Sequence, residues 1–120
     1  MGFAADLKRF ADKTESTVDE SARAIKIKLF SDIVENTRVR TGRLKGNWQT
    51  STGSPIGEQI ERPSPNGEVV KEEIQNNVTS NGIDYLTNNL PYAEVFEEKD
   101  GMVAKGIQRI DRIVKEVSNG

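Results

Sequence analysis

Residues 18–34 contain neither glycine nor proline, and their apolar side chains fall on two opposite faces of one predicted helix. The first face repeats at intervals of three and four residues and consists of Val18, Ala22, Ile25, Leu29 and Ile33. The second face consists of Ile27, Phe30 and Val34, on the side where a helix in a monomer normally presents charge to water. Both faces therefore need to be covered.

Two arrangements can cover the second face of this helix. A shorter helix is predicted over residues 3–11, and it or another element of the same chain can fold over the face. Alternatively, the face packs against a neighbouring copy, which makes Ile27, Phe30 and Val34 candidate subunit-interface residues. The sequence alone leaves both arrangements open.

The middle of the chain has the pattern of a small sheet. Residues 48–51 predict one strand, in which Trp48, the only tryptophan, is expected to anchor the core. Residues 83–87 alternate in polarity and predict a second strand that pairs with the first. Between the strands, the proline- and glycine-rich residues 52–67 predict a long loop that can reach a partner, and residues 68–78 have helical spacing.

A proline marks the junction after the second strand. Pro91 favours extended geometry at Leu90 and can begin a helical turn, while Asn88 and Asn89 offer side chains to unpaired backbone groups there. After an acidic turn at 97–101, a single C-terminal helix is predicted. Its apolar side consists of Val103, Ile107, Ile110, Val114 and Val117. These elements predict one α+β domain over residues 1–120, with a long N-terminal helix and a C-terminal helix packed on a small, mostly antiparallel sheet.

Histidine and cysteine are both absent from the chain. Without histidine the chain lacks the commonest general base near neutral pH, and without cysteine it has no thiolate nucleophile and no sulfur ligand for zinc. We therefore expect a protein that is not an enzyme and that holds no metal or cofactor. The 17 basic and 19 acidic residues give a net charge of −2, which does not call for nucleic acid or an anionic membrane as a partner. No signal-peptide pattern or membrane-length apolar stretch is present, so synthesis in the cytoplasm is expected.

Two clusters of opposite charge stand out. The basic cluster consists of Arg38, Arg40, Arg43 and Lys45, and the acidic cluster consists of Glu94, Glu97, Glu98 and Asp100. The basic cluster is open to three interpretations: contacts to nucleic-acid phosphates, a solvated loop that complements the helix dipole, or pairing with the acidic cluster of a neighbouring subunit. The third interpretation makes Arg40, Arg43, Glu94 and Glu97 further interface candidates, because the guanidinium fork suits carboxylates at interfaces. The acidic cluster lacks the spacing of a calcium loop, which argues against a metal site.

Two strings of residues are typical of one family. Residues 40–48 read Arg-Thr-Gly-Arg-Leu-Lys-Gly-Asn-Trp, and residues 85–93 read Tyr-Leu-Thr-Asn-Asn-Leu-Pro-Tyr-Ala. The motif positions in these strings are Gly42, Trp48, Asn88, Asn89, Pro91 and Tyr92. With a Gly-Met-Val helix start at 101–103, they resemble the neck and tail-completion proteins, of the minor tail protein Z type, that join head to tail in long-tailed, lambda-like bacteriophages. The stretch 94–100 departs from the family's pattern, since it is short and acidic where relatives carry a longer segment of small residues.

The resemblance implies a structural virion protein of the phage neck, assembled in the host cytoplasm. It implies a homo-oligomeric ring, with six copies favoured and twelve as the alternative. The ring would contact connector or adaptor proteins on one side and tail-terminator or tail-tube proteins on the other. DNA would pass through the channel without sequence-specific binding. The alternative function is a small DNA-binding or assembly accessory protein that uses the basic residues of 38–45.

Overall fold

The computed structural model describes residues 18–39 and 42–119 of the chain. The helix expected over 3–11, Arg40 and Thr41 lie outside the described residues, as do the side chains of residues 18, 19 and 119. The described helices are α1 (Val18–Glu35), α2 (Arg43–Gly46), α3 (Glu68–Asn77), α4 (Ala93–Asp100), α5 (Met102–Gln108) and α6 (Ile110–Asn119). The described strands are β1 (Trp48–Thr52) and β2 (Asp84–Asn88). The predicted α+β class is confirmed.

The two strands form an antiparallel pair. Their register aligns Trp48 with Asn88 at one end and Thr52 with Asp84 at the other. Both strands lie within one residue of the predicted positions, and the helix predicted between them is α3. The sheet packs against α2 and α3, and α1 lies between α3 on one side and α5 and α6 on the other.

The position of α1 explains its two apolar faces. Val34 is fully buried and belongs to the main core with Val70 and Ile74 of α3. On the other side, Ile25 is buried in a second, smaller core formed with α6. Elements of the same chain therefore pack on both faces.

This packing corrects one of the interface candidates. Val34 has no exposed surface to offer a neighbouring subunit, and Ile27 and Phe30 are partly buried against the same core. A side chain of α1 also binds the C-terminal end of α3: Arg23 Nε donates to the Val78 carbonyl oxygen at 3.0 Å. At Val34, another element of the chain covers the second face; for Ile27 and Phe30, which stay partly exposed, a subunit contact stays a prediction.

The C-terminal third differs from the prediction in two places. Residues 97–100, expected in an acidic turn, belong to α4, which ends where Gly101 adopts a left-handed conformation with φ of 62°. The expected single C-terminal helix is divided into α5 and α6 at Arg109, whose φ and ψ of −90° and 2° interrupt the regular helix. The break lets both segments pack on α1: Gly106 lies so close to Ile33 that an added Cβ would be 2.7 Å from its side chain.

Among the described residues, no helix combines the length and apolar character that crossing a membrane requires.

Candidate functional site

The two family-like strings meet in the structure at Asn88. Asn88 is paired with Trp48 across the sheet, and its side-chain nitrogen donates to the Leu44 carbonyl oxygen at 2.8 Å. Its side-chain oxygen accepts from the Leu90 backbone N–H at 3.3 Å. Asn88 therefore joins the end of β2 to α2 and orders the turn that leads into Pro91, as expected for an asparagine that pairs with free backbone groups.

Trp48 is the core anchor that the sequence predicts. It is 4% exposed and packs in the main core, where its indole Nε1 donates to the Thr37 hydroxyl at 2.9 Å. That hydroxyl in turn donates to the Ile33 carbonyl oxygen at 2.8 Å. Every polar atom of this buried chain of hydrogen bonds has a partner, as a buried indole N–H requires. Thr37 was not singled out from the sequence, since nothing local marks it.

The loop between β1 and α3 is attached to the sheet by three side-chain amides. Gln49 donates to the Glu58 carbonyl oxygen at 2.7 Å, and Asn89 donates to the Ile56 carbonyl oxygen at 2.7 Å. Asn47, which is fully buried, accepts from the Ile60 backbone N–H at 2.9 Å. We call residues 53–61 the braced loop. The backbone of this part of the predicted loop is held in place while most of its side chains face solvent, and its contact with a partner stays a prediction.

The end of the loop is fixed by Arg62. Its guanidinium donates to the carbonyl oxygens of Gly46 and Trp48, at 3.1 and 2.9 Å, and to the Glu73 carboxylate at 2.5 Å. Glu73 also accepts from the backbone N–H and hydroxyl of Thr50, at 2.9 and 3.1 Å. The partners come from α2, β1 and α3, so Arg62 and Glu73 join these three elements to the end of the loop. Sequence reasoning missed it, because Arg62 and Glu73 carry no local signature.

The same contacts set the ionisation of Glu73. Burial acts to raise the pKa of its carboxyl, but the hydrogen bonds from Thr50 and Arg62 and the charge of Arg62 outweigh burial. The pKa of Glu73 is therefore lowered from its ordinary value of 4.5. The carboxylate is charged at neutral pH and serves as a structural acceptor.

Two glycines let the loop approach α2 closely. Gly42 has a φ of 79°, and a Cβ there would lie 2.5 Å from the Pro65 nitrogen. At Gly46, a Cβ would lie 1.8 Å from the Arg62 carbonyl oxygen. The motif glycine at position 42 therefore has a steric role, because a side chain there would clash with Pro65. The close approach also lets the Gly42 carbonyl oxygen accept from the Ser64 backbone N–H at 2.9 Å.

The charged clusters are paired within the chain. Arg38 forms a two-pronged ion pair with Asp100, both contacts being 2.6 Å, and its guanidinium lies 4.5 Å from the centre of the Phe96 ring. Arg43 pairs with Glu61 of the braced loop at 3.0 Å. These residues thus have partners within the same chain, and the expected pairing between subunits stays a prediction.

The remaining members of the clusters are separated in the structure. Lys45 is 7% exposed, and burial lowers the pKa of its ammonium group. The Glu97 carboxylate accepts from the backbone N–H groups of Val103 and Ala104 at 2.9 and 3.2 Å, which caps α5. Glu94 is exposed on α4, and Pro91 is exposed in the turn before that helix. Tyr92 is half-buried, and its ring lies edge-on to that of Phe96, with 5.6 Å between the ring centres. Arg40 lies outside the described residues.

A cleft of about 530 Å³ opens where α1 ends and α5 begins. We call it the basic cleft, and it is lined by Asn36, Arg38, Val39, Asp100, Met102, Lys105 and Arg109. Arg109 is paired with Asp32 at 2.6 Å, whereas Lys105 forms no ion pair with any described residue. The hydrogen bond from Arg38, followed by the charges of Arg38, Lys105 and Lys99, lowers the pKa of Asp100. The cleft thus combines an excess of positive charge with an apolar wall.

No cluster of acidic side chains suited to holding a metal ion occurs among the described residues. Comparison with known proteins found no matching family model, no similar curated protein and no similar solved structure. The candidate site is therefore defined by its own geometry, as the braced loop and the basic cleft.

Proposed function

We propose that this chain is a structural subunit of the neck of a long-tailed bacteriophage, forming a ring that joins the head to the tail. The observation that carries the proposal is the meeting of the two family-like strings. From the first string, Asn47 holds the braced loop and Gly42 accepts from Ser64 just after it. From the second string, Asn88 joins β2 to α2 and Asn89 holds the braced loop. The residues behind the resemblance thus build one rigid, outward-facing feature, which suits a protein that joins other proteins.

The chemistry of the charged residues supports a mechanical role. Arg62, Glu73 and Asp84 are all used to connect elements of the fold, and Asp84 accepts hydrogen bonds from Lys26, Thr79 and Thr52. Perturbed ionisation often marks catalytic groups, but here each shifted carboxyl accepts a hydrogen bond from a cationic side chain of the same chain. We therefore assign no catalytic role to these groups.

The DNA-binding alternative gains no support from the geometry. A phosphate-binding surface needs several cations that face solvent together. Of the described basic residues in 38–45, Arg38 and Arg43 are paired with carboxylates and Lys45 is buried. DNA in the proposed ring passes through the channel without sequence-specific contact.

A gene deletion in the parent phage tests the proposed function. The deletion should yield DNA-filled heads and tails that do not join, and supplying the chain from a plasmid should restore infectious particles. A plasmid carrying Asn76→Ala, a change at an exposed position of α3, serves as the matched positive control. Normal infectious particles from the deletion strain would overturn the proposal.

A further inference from the structure

We propose that the exposed tip of the braced loop of one copy docks in the basic cleft of a second copy. This inference rests on the proposed ring, because it names the contact through which neighbouring subunits recognise each other. The tip consists of residues 53–59, and Lys105 is one of the residues that line the basic cleft. The two surfaces are complementary in charge and in apolar character.

The basic cleft contains a cation without an ion pair among the described residues and an exposed apolar side chain. Arg38 and Arg109 are each matched by a carboxylate, but Lys105 is exposed and forms no ion pair with any described residue. Val39 also lines the cleft and is 46% exposed, so it adds apolar surface there. The cleft volume of about 530 Å³ is within the usual range of binding pockets, about 300–1,000 Å³.

The loop tip offers the matching groups. Glu58 is exposed, and its carboxylate has no partner among the described residues, since only its backbone oxygen is used by Gln49 and Asn89. Pro55 is also exposed, and Ile56 is half-buried beside it. An acidic side chain next to apolar groups fits a cleft that pairs Lys105 with Val39.

The bracing makes the tip suited to binding. A flexible loop loses conformational entropy when it docks, whereas a loop already held by side-chain hydrogen bonds loses much less. Gln49 and Asn89 hold the backbone on both sides of Gly57 while the side chain of Glu58 stays free. The hydrogen bonds therefore fix the tip without using the group that would meet Lys105.

The proposed contact also sets the form of assembly. None of the residues lining the cleft belongs to the loop, so the two surfaces are different patches of one chain. A contact between different patches is head-to-tail, and repetition of such a contact closes into a ring or continues as a filament. Head-to-tail docking of loop into cleft is thus compatible with the proposed ring.

The absence of cysteine from the chain makes a crosslinking test clean. Full-length Glu58→Cys and Lys105→Cys variants are mixed and treated with a short bismaleimide whose reach matches a Glu–Lys pair. The matched control replaces Glu58→Cys with Glu72→Cys, an exposed position on α3. We expect a crosslinked heterodimer from the first mixture well above the control. In phage particles, the double variant Glu58→Cys with Lys105→Cys should give a ladder of covalent oligomers.

A charge exchange provides the second readout. Glu58→Lys and Lys105→Glu should each weaken self-association about tenfold by sedimentation, because like charges then face each other, and the double exchange should restore it. Oligomers that form normally, with no 58–105 crosslink above control, would overturn the docking inference and leave the proposed function standing. A chain that is absent from phage particles and forms no oligomer in solution would overturn both.

Discussion

The side-chain nitrogen of Asn89 donates a hydrogen bond to the carbonyl oxygen of Ile56 at 2.7 Å, across 33 residues of sequence. The same nitrogen lies 3.3 Å from the carbonyl oxygen of Glu58. One amide at the end of β2 therefore holds both sides of Gly57 in the braced loop. This link connects the string at 85–93 to the exposed braced loop.

Removal of this amide should loosen the loop while leaving the fold intact. For Asn89→Ala we expect faster amide hydrogen exchange and faster limited proteolysis within residues 53–61. The loss in unfolding free energy should be only about 1 kcal/mol, because water can replace the amide at carbonyls of an exposed loop. Asn76→Ala, at an exposed position of α3, is the control. Unchanged exchange in the loop of the Asn89 variant would show that the amide does not hold it.

The close approach of Gly46 to the loop predicts a large steric effect. Gly46→Ala would place a Cβ 1.8 Å from the Arg62 carbonyl oxygen, so the backbone must move, and we expect this to disturb the hydrogen bond from Arg62 to Gly46. We expect a loss of about 3 kcal/mol or more in urea unfolding followed by Trp48 fluorescence. Gly57→Ala meets no atom within 4 Å and should change stability by less than about 1 kcal/mol. Equal stabilities for the two variants would contradict the observed packing.

The lowered pKa of Glu73 predicts a loss of stability in acid. Its folded-state pKa lies below the ordinary value of 4.5, so the unfolded chain binds the proton more readily. The contribution of the Glu73 carboxylate is present above about pH 4.5 and is lost as pH falls through the folded-state pKa. Glu73→Gln should reduce stability at neutral pH by about 2 kcal/mol and flatten this part of the acid dependence.

The control for the acid effect is Glu72→Gln, because Glu72 is exposed on the same helix and has no partner among the described residues. Its unfolding free energy should follow the wild-type curve between pH 3 and 7, the range in which carboxyl groups titrate. An acid dependence of Glu73→Gln as steep as that of the wild type would show that the ion pair with Arg62 does not contribute.

The burial of the second face of α1 changes what a surface substitution there should do. Ile27→Asp with Phe30→Asp should unfold the chain, because both side chains pack against the main core. Val69→Asp, at a residue that is 48% exposed, should leave the circular dichroism spectrum unchanged. A folded Ile27→Asp, Phe30→Asp monomer that has lost only its self-association would instead restore these residues as an interface.

Local patterns predicted the elements of this fold well. The strands around Trp48 and Tyr85 and the helix α3 follow from alternation and spacing within short windows. Two local predictions failed. Residues 97–100 carry charges typical of a turn yet continue α4, and the helix breaks at Arg109 although no glycine or proline stands there.

The site was predicted less completely, because its contacts join residues far apart in sequence. The sequence predicted that Asn88 and Asn89 pair with backbone groups nearby. It did not predict that Asn89 holds the loop at Ile56. The periodicity of α1 gave its second face correctly, yet only the fold shows that α3 covers Val34. Likewise, opposite charge suggested that the basic and acidic clusters pair, and the structure shows that Arg38 and Asp100 do so within one chain.

Cryo-electron microscopy of the parent phage particles is the most direct test of the proposed connector role. We expect symmetry-averaged density of the head–tail joint to fit this fold as a closed ring, with six copies favoured over twelve. The braced loop should face an adjoining subunit. Density at the joint that is fully accounted for by other proteins, with this chain absent from the particles by mass spectrometry, would contradict the account.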